Sequence, residues 1–314
     1  MKKIFLTGGC GYVGSVLTEN FLTNYQIKNI DTQWFGNKLR DNSNLVNIKK
    51  DIRNLDGNFI DHGTHAVIHL ANIANDPSVE LDQSLSWEVN VLAAKNLIEK
   101  SIKSGVKKFI FASSGSVYGI KNEKNVTEDL DLVPISIYNK TKMICERLLL
   151  SYKDYIQVYI IRPATVCGLS PRMRFDVSVN MLILQALKNK QITIMGGKQT
   201  RPNIHINDMV KVYEHILEND VTPGIYNAGF ENISILDLGK KIQKKIDCEI
   251  KIIDSNDPRS YRQCSDKLLE TGFKQKFTVD NAIDEISNAY KNQKIIEDDS
   301  CYTVKWMKKR VLNG

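Results

Sequence analysis

The chain has 314 residues, 42% of them hydrophobic, and a formal charge of +7. That is apolar material for one large core or two domains. No apolar run is long enough to span a membrane, and the lysines are spread without a basic block interleaved with aromatics, so neither a membrane nor nucleic acid is an expected partner. The N-terminus already reads as a core strand, leaving no room for a signal peptide. The six cysteines, at 10, 145, 167, 248, 264 and 301, form no C-x-x-C pair or metal-spaced cluster. Reduced thiols in a cytosol, with no metal site, are expected.

In chain order, Lys3-Ile4-Phe5-Leu6 reads as a short apolar strand. The loop Thr7-Gly8-Gly9-Cys10-Gly11-Tyr12-Val13-Gly14 follows, and Ser15–Leu22 continues as a helix. Strand, glycine turn and helix together are the context of a dinucleotide-binding loop. Gly8 and Gly9 suit the tight turn, Gly11 admits a pyrophosphate to the backbone, and Gly14 allows close helix–strand packing. The helix N-terminus offers unpaired N–H groups to the phosphates. Gly8, Gly11, Tyr12, Val13 and Gly14 are therefore candidate cofactor contacts.

The second strand, Gln26–Asp31, ends on an acid about 20 residues beyond the loop. A carboxylate there bonds ribose hydroxyls and repels a 2′-phosphate, so NAD is expected over NADP. Asp51-Ile52, after the next short strand, either contacts the adenine or is a surface turn. Ala66–Leu70 is a buried-looking strand. Residues 84–104 carry a long helical pattern, Lys108–Ala112 is the next strand, residues 136–153 another helical pattern, and Val158–Ile161 a further strand. Such alternation predicts an α/β fold of Rossmann type, a doubly wound parallel sheet with helices on both faces.

After Arg162-Pro163 the pattern loosens into a helix near 176–189 and a strand at 191–195. The expected organisation is an NAD-binding domain over 1–165, to which 203–229 returns. Residues 166–202 and 230–314 make a smaller mixed α/β substrate region.

Chemistry is carried by Tyr138 and Lys142, at i and i+4 on one helix face. A phenol ordinarily titrates near ~10. A nearby ammonium and a positive nicotinamide ring favour the phenolate and lower that value. Tyr138 then takes a hydroxyl proton while hydride leaves the same carbon for NAD. Ser114, after the strand ending at Ala112, sits where ligands bind in such sheets and can hold the substrate oxygen. Asn90 could brace Lys142 through a water.

TGGCGYVG, Asp31, HLA at 69–71, Asn90, SSGSVYG at 113–119, YNKTK at 138–142 and Arg162-Pro163 together resemble the extended short-chain dehydrogenases. More closely, the chain resembles their nucleotide-sugar epimerase/dehydratase branch, over nearly its whole length. The resemblance implies Leu70 and Ala71 as further cofactor contacts. It implies Ser114, Asn180, Arg201 and Arg259 as substrate contacts, both arginines serving a sugar-nucleotide diphosphate. Pro202-Asn203 departs from the family's Arg-Asp-aromatic run.

The 4,6-dehydratases of this branch carry an acid two residues before the VYG tyrosine, the decarboxylases a Glu, and the 3,5-epimerase/reductases a Cys. Here Gly115 and Ser116 stand there. What remains is redox at one carbon, C4 being favoured. Either the keto sugar leaves (a 4-dehydrogenase) or it is reduced on its other face (a 4-epimerase of UDP-hexose type). The runs 162–174 and 259–262 are similar to members from bacterial surface-polysaccharide clusters, one group of which oxidises a GDP-activated manno-heptose at C4 for capsule. The expectation leans to that dehydrogenase. A catalytically silent NAD-binding regulator is the third reading, although such proteins usually lose the Tyr or Lys. Similar proteins form isologous homodimers through helices matching 84–104 and 136–153, although these apolar stripes could equally be satisfied within the subunit.

Overall fold

The computed structural model describes residues 1–254, 260 and 262–312. The first half alternates strand and helix: β1 (Lys2–Thr7), α1 (Tyr12–Phe21), β2 (Tyr25–Asp31), β3 (Leu45–Lys49), β4 (Thr64–His69), α2 (Asp76–Val79), α3 (Gln83–Trp87), α4 (Ala93–Lys103), β5 (Lys108–Ala112), α5 (Ile137–Leu150) and β6 (Gln157–Pro163). Then come β7 (Thr165–Cys167), α6 (Ser178–Asn189), β8 (Gln191–Met195), β9 (Thr200–His205), α7 (Ile206–Glu218) and β10 (Gly224–Ala228). The chain continues through β11 (Glu231–Ser234), α8 (Ile235–Gln243), β12 (Glu249–Ile253), α9 (Asp266–Glu270), α10 (Val279–Lys291) and α11 (Thr303–Leu312).

Seven strands form one sheet in the order β10-β6-β5-β4-β1-β2-β3. Every pairing in it is parallel. The central strands are apolar at consecutive positions, and the pleat sends neighbours to opposite faces. Leu6, Ile68, Ile110 and Ile161 enter one core, whereas Phe5, Val67, Phe109 and Ile160 enter the other. A sheet buried on both faces needs this run, not polar/apolar alternation. The strand order reverses between β1 and β4, which opens a crevice at their carboxyl ends. Two smaller sheets, β11-β9-β7 and β12-β8, lie outside the large one.

The helix expected over 84–104 is interrupted by a π-helical turn, Glu88–Leu92. Asn90 lies in that turn, fully buried, and its amide accepts from the Ile73 N–H (2.8 Å) and donates to the Ile73 carbonyl (3.2 Å). A widened turn of this kind is common beside functional sites. Among the described residues, no helix is long and apolar enough to cross a membrane. All six cysteines are free.

Candidate active site

Helix α1 begins at Tyr12 with Gly11 as its cap and no side chain satisfying its first N–H groups. Those donors face the crevice and suit a phosphate. Gly8 has φ +82°, and a Cβ there would lie 2.6 Å from the Ala71 nitrogen. A Cβ at Gly14 would lie 2.0 Å from the Gly8 carbonyl. Glycine is thus required at both positions, once for backbone sign and once for space.

The crevice opens into a cavity of about 520 Å³. Gly8, Gly11, Tyr12, Val13 and Gly14 line one side, and Asp31, Asp51, Ile52, Leu70 and Ala71 complete that end. Two of these use their side chains elsewhere. The Tyr12 hydroxyl donates to the Gly168 carbonyl (2.8 Å), so Tyr12 offers a ligand its backbone and ring edge, not its hydroxyl. Asp51 is held by Arg53 in an ion pair (2.8 Å). Burial alone would raise its carboxyl, but the Arg53 hydrogen bonds and charge hold it below the usual range.

Asp31 accepts from the Cys10 N–H (2.9 Å) and the Gln33 N–H (2.6 Å). Burial pushes its carboxyl up, and those amides and the Arg172 charge offset this in part.

The cavity's other end gathers Ser114, Tyr138 and Lys142, the residues expected to handle protons. Ser136 caps α5 by accepting from the Asn139 N–H (3.1 Å), which fixes Tyr138 in the first turn. Ser114 caps the short helical turn Gly115–Tyr118. The Ser114 and Ser116 hydroxyls share a hydrogen bond (2.7 Å), and Ser116 donates onward to Asn139 (2.6 Å). Lys142 is buried (3% exposed), donates to the Ala112 carbonyl (2.6 Å) and stands 5.9 Å from the Tyr138 ring centre. Burial lowers its ammonium to about 8, so it still carries charge at neutral pH.

Behind β5 and β6, the buried Arg162–Glu146 pair (2.7 Å) fixes the strand ends, and Ser113 donates to Glu146. Removing one partner of such a pair costs about 3–5 kcal/mol.

Several expectations change here. On balance the protein's own groups raise Tyr138. Burial and the Asp76 charge push its phenol up to about 12, and the Ser114 hydrogen bond offsets this only in part.

Asn90 is linked to Thr141 (3.2 Å) and Ile73, not directly to Lys142. The brace expected through a water has a protein alternative in Asn72, whose amide, oriented so that both ends are satisfied, accepts from Lys142 at 3.2 Å and donates to Asn90 at 3.3 Å.

Asn180 lies outside the cavity wall. It is fully buried, accepts from the Gly168 N–H (3.1 Å) and donates to the Tyr12 hydroxyl (3.0 Å) and the Arg174 carbonyl (2.9 Å). Its side chain therefore braces the wall from behind in this structure, bonded to Gly168, Tyr12 and Arg174. Arg201 does line the cavity, on β9, with Nη1 donating to the Thr200 carbonyl (3.2 Å). Arg259 lies outside the described residues.

Reading the sequence missed Asp76, Arg172 and Thr303, which all line the cavity. Asp76 accepts a hydrogen bond from Ser136 beside Tyr138. Its only sequence signal was its place at the start of a short helix after β4. Arg172 and Thr303 are 131 residues apart and had no such signal.

Residues 4–229 match the model of the NAD dependent epimerase/dehydratase family. The chain belongs to this family. It is 33% identical over 252 residues to a protein of Bacillus subtilis (strain 168) described as an uncharacterized UDP-glucose epimerase, YtcB; the match covers 74% of this chain and 79% of that one. It is 30% identical over 282 residues to the dTDP-D-glucose 4,6-dehydratase of Dictyostelium discoideum, covering 77% of this chain and 62% of that one. A solved structure of UDP-glucuronic acid 4-epimerase from Bacillus cereus, in complex with UDP-glucuronic acid and NAD, superposes with a TM-score of 0.82 at 28% identity; 93% of this chain and 99% of that one are covered.

This member of the epimerase/dehydratase family is accordingly an NAD-dependent enzyme. Its residues fit the dinucleotide: an uncapped helix N-terminus, a loop that no Cβ can enter, and a carboxylate at the end of β2.

Proposed function

We propose that the protein oxidises a nucleotide-activated sugar at C4 and returns the hydride to the other face, as a UDP-sugar 4-epimerase. The carrying observation is one cavity shared by the glycine loop and by Ser114, Tyr138 and Lys142, with no carboxylate or thiol at 115–116. When bound, NAD supplies the hydride acceptor and a positive ring that favours the Tyr138 phenolate. Ser114 holds the substrate oxygen, Tyr138 takes its proton, and Lys142 stabilises the charge left on the phenol. Ser116 is a hydroxyl already bonded to Ser114 and Asn139, so it offers no base for a second proton at C5. The kinship with proteins described as UDP-glucose and UDP-glucuronic acid epimerases supports the same reading. The cofactor end is formed mainly by residues 1–165. Segments 166–202 and 230–314 cover the sugar nucleotide, with Arg201 at its diphosphate. A cytoplasmic homodimer through 84–104 and 136–153 completes the proposal, and exposed Leu92 and Ile144 on those stretches are available for it.

The test is one reaction of the purified protein with NAD and a panel of UDP-, GDP- and CDP-sugars that includes GDP-manno-heptose. Nicotinamide absorbance and chromatography of the sugar are read together. A new sugar isomer without net NADH is the expected result. NADH accumulating with an oxidised sugar replaces the epimerase by a 4-dehydrogenase, the outcome favoured by the sequence of 162–174. A panel returned unchanged rejects both.

A further inference from the structure

Arg172 is a buried cation in the wall of the cofactor cavity. Its residue is 4% exposed, and its Nε has no hydrogen-bond partner. Its guanidinium lies 4.0 Å over the Phe35 ring, and Nη2 donates to the Thr303 hydroxyl (3.0 Å). Among the described residues, no carboxylate lies within ion-pair distance of it. Asp176, whose charge acts on Arg172, is itself bonded by Arg174 (2.8 Å) and by the Thr303 N–H (2.9 Å). Burying a guanidinium without a paired anion is costly, and a cavity wall is where a ligand can supply that anion.

The neighbouring contacts say which anion. Segment 168–172 is tied to the first turn of α1: Tyr12 bonds Gly168, Ser170 donates to the Tyr12 carbonyl (2.7 Å), and the Ser170 and Ser15 hydroxyls share a bond (3.0 Å). Arg172 follows two residues later, so it is fixed to the same turn whose free N–H groups face the phosphates. It also sits against Phe35 just beyond β2, and its charge reaches Asp31, the ribose-side acid. Thr303, the first residue of α11, closes the arrangement from the far end of the chain.

We propose that Arg172 is the cationic half of the dinucleotide diphosphate site, facing the helix N-terminus across the cofactor, and that Thr303 of α11 holds it in place. The proposal rests on the family's cofactor and not on the epimerase reading. A flat guanidinium with a free Nε–H can address phosphate oxygens as a fork, which a lysine cannot.

The experiment measures binding of NAD, ADP-ribose, adenosine and UDP to the wild type and to Arg172→Met, Arg172→Lys and Thr303→Val. Calorimetry reads the first two and UDP, saturation-transfer NMR reads adenosine, and thermal melts are taken without ligand. Arg172→Met is expected to weaken NAD and ADP-ribose about 10- to 100-fold. Adenosine and UDP stay unchanged, and the unliganded melting temperature holds or rises, since an unpaired buried cation is removed. Lys restores part of the loss, and Thr303→Val loses several-fold in the same two ligands only. Equal loss for adenosine with a lowered melting temperature would make Arg172 structural, and loss for UDP alone would assign it to the sugar nucleotide. Unchanged NAD affinity in all three variants would also overturn the proposal. If Arg172→Met does not fold, the Lys and Val variants decide by the same selectivity.

Discussion

The cavity is built from two kinds of wall. The glycine loop, Asp31, Ser114, Tyr138 and Lys142 belong to the parallel-sheet half, and short-range geometry places each of them. A strand end, a helix cap and an i, i+4 spacing put these groups at the carboxyl edge of β1, β2, β5 and in α5. Arg172, Arg201 and Thr303 belong to the other wall, where no repeating pattern locates them. Contacts such as Ser170 to Tyr12, Arg172 to Thr303 and Asn203 to Glu231 bring that wall in. The first wall holds the residues proposed for hydride and proton chemistry, which needs fixed geometry. The second places the charged side chains of Arg172 and Arg201 in the same cavity.

Substitutions in the first wall are expected to act on turnover, on the fold of the loop and on cofactor choice, and those in the second on how tightly ligand phosphates are held. The largest effect expected is on Tyr138→Phe, which should lower kcat about 10²- to 10⁴-fold while NAD still binds. Turnover surviving in that variant would remove Tyr138 from the chemistry.

Gly14→Ala comes next. Its Cβ would meet the Gly8 carbonyl at 2.0 Å, with backbone as the obstacle, so the loop must open. A loss of about 3 kcal/mol in denaturant unfolding, with weaker NAD binding, is expected. An alanine tolerated with unchanged NAD affinity would mean the loop is not the rigid cradle described.

Arg201→Ala should raise the sugar-nucleotide KM about 10- to 100-fold and leave NAD affinity alone. NAD binding falling in step would mean that Arg201 shapes the wall and does not contact the sugar nucleotide specifically.

His69 tests the sheet itself. It is fully buried and bonded to Thr7 (2.7 Å), and burial lowers its ring from 6.5 to about 3. Its folded pKa is depressed, so its stability contribution is present above the unfolded value and lost as pH falls. Between about 6.5 and 3, each unit of acidification should cost about 1.4 kcal/mol through this residue. His69→Gln should flatten the acid limb of a stability–pH curve by that slope; parallel curves for the two proteins would show that His69 protonates without resistance.

The smallest effect is expected from Asp31→Ser. It should shift the NAD/NADP preference by about tenfold toward NADP, read as a ratio of Kd values. An unmoved ratio would place the ribose selectivity elsewhere, with Arg172 the first neighbour to examine.

The sequence carried the fold class because parallel strands buried on both faces must be apolar at consecutive positions, and β1, β4, β5 and β6 are. It carried the glycine loop because a positive φ at Gly8 and the lack of space at Gly14 admit almost nothing else. It carried the Tyr138–Lys142 face because helical spacing is local. Burial could not be read this way. Asn180 is fully enclosed behind the wall, and the phenol of Tyr138 is raised by desolvation that no local pattern reveals. The π-turn at 88–92 places Asn90 against the backbone of residue 73, a contact 17 residues away. Arg172 read as one arginine among many, and only the packing of α11 and Phe35 against it showed a buried cation with no ion-pair partner among the described residues, in the wall of the cavity. Period and backbone sign are properties of neighbours in the chain. Desolvation and charge balance are properties of neighbours in space, and those were fixed only when the chain closed on itself.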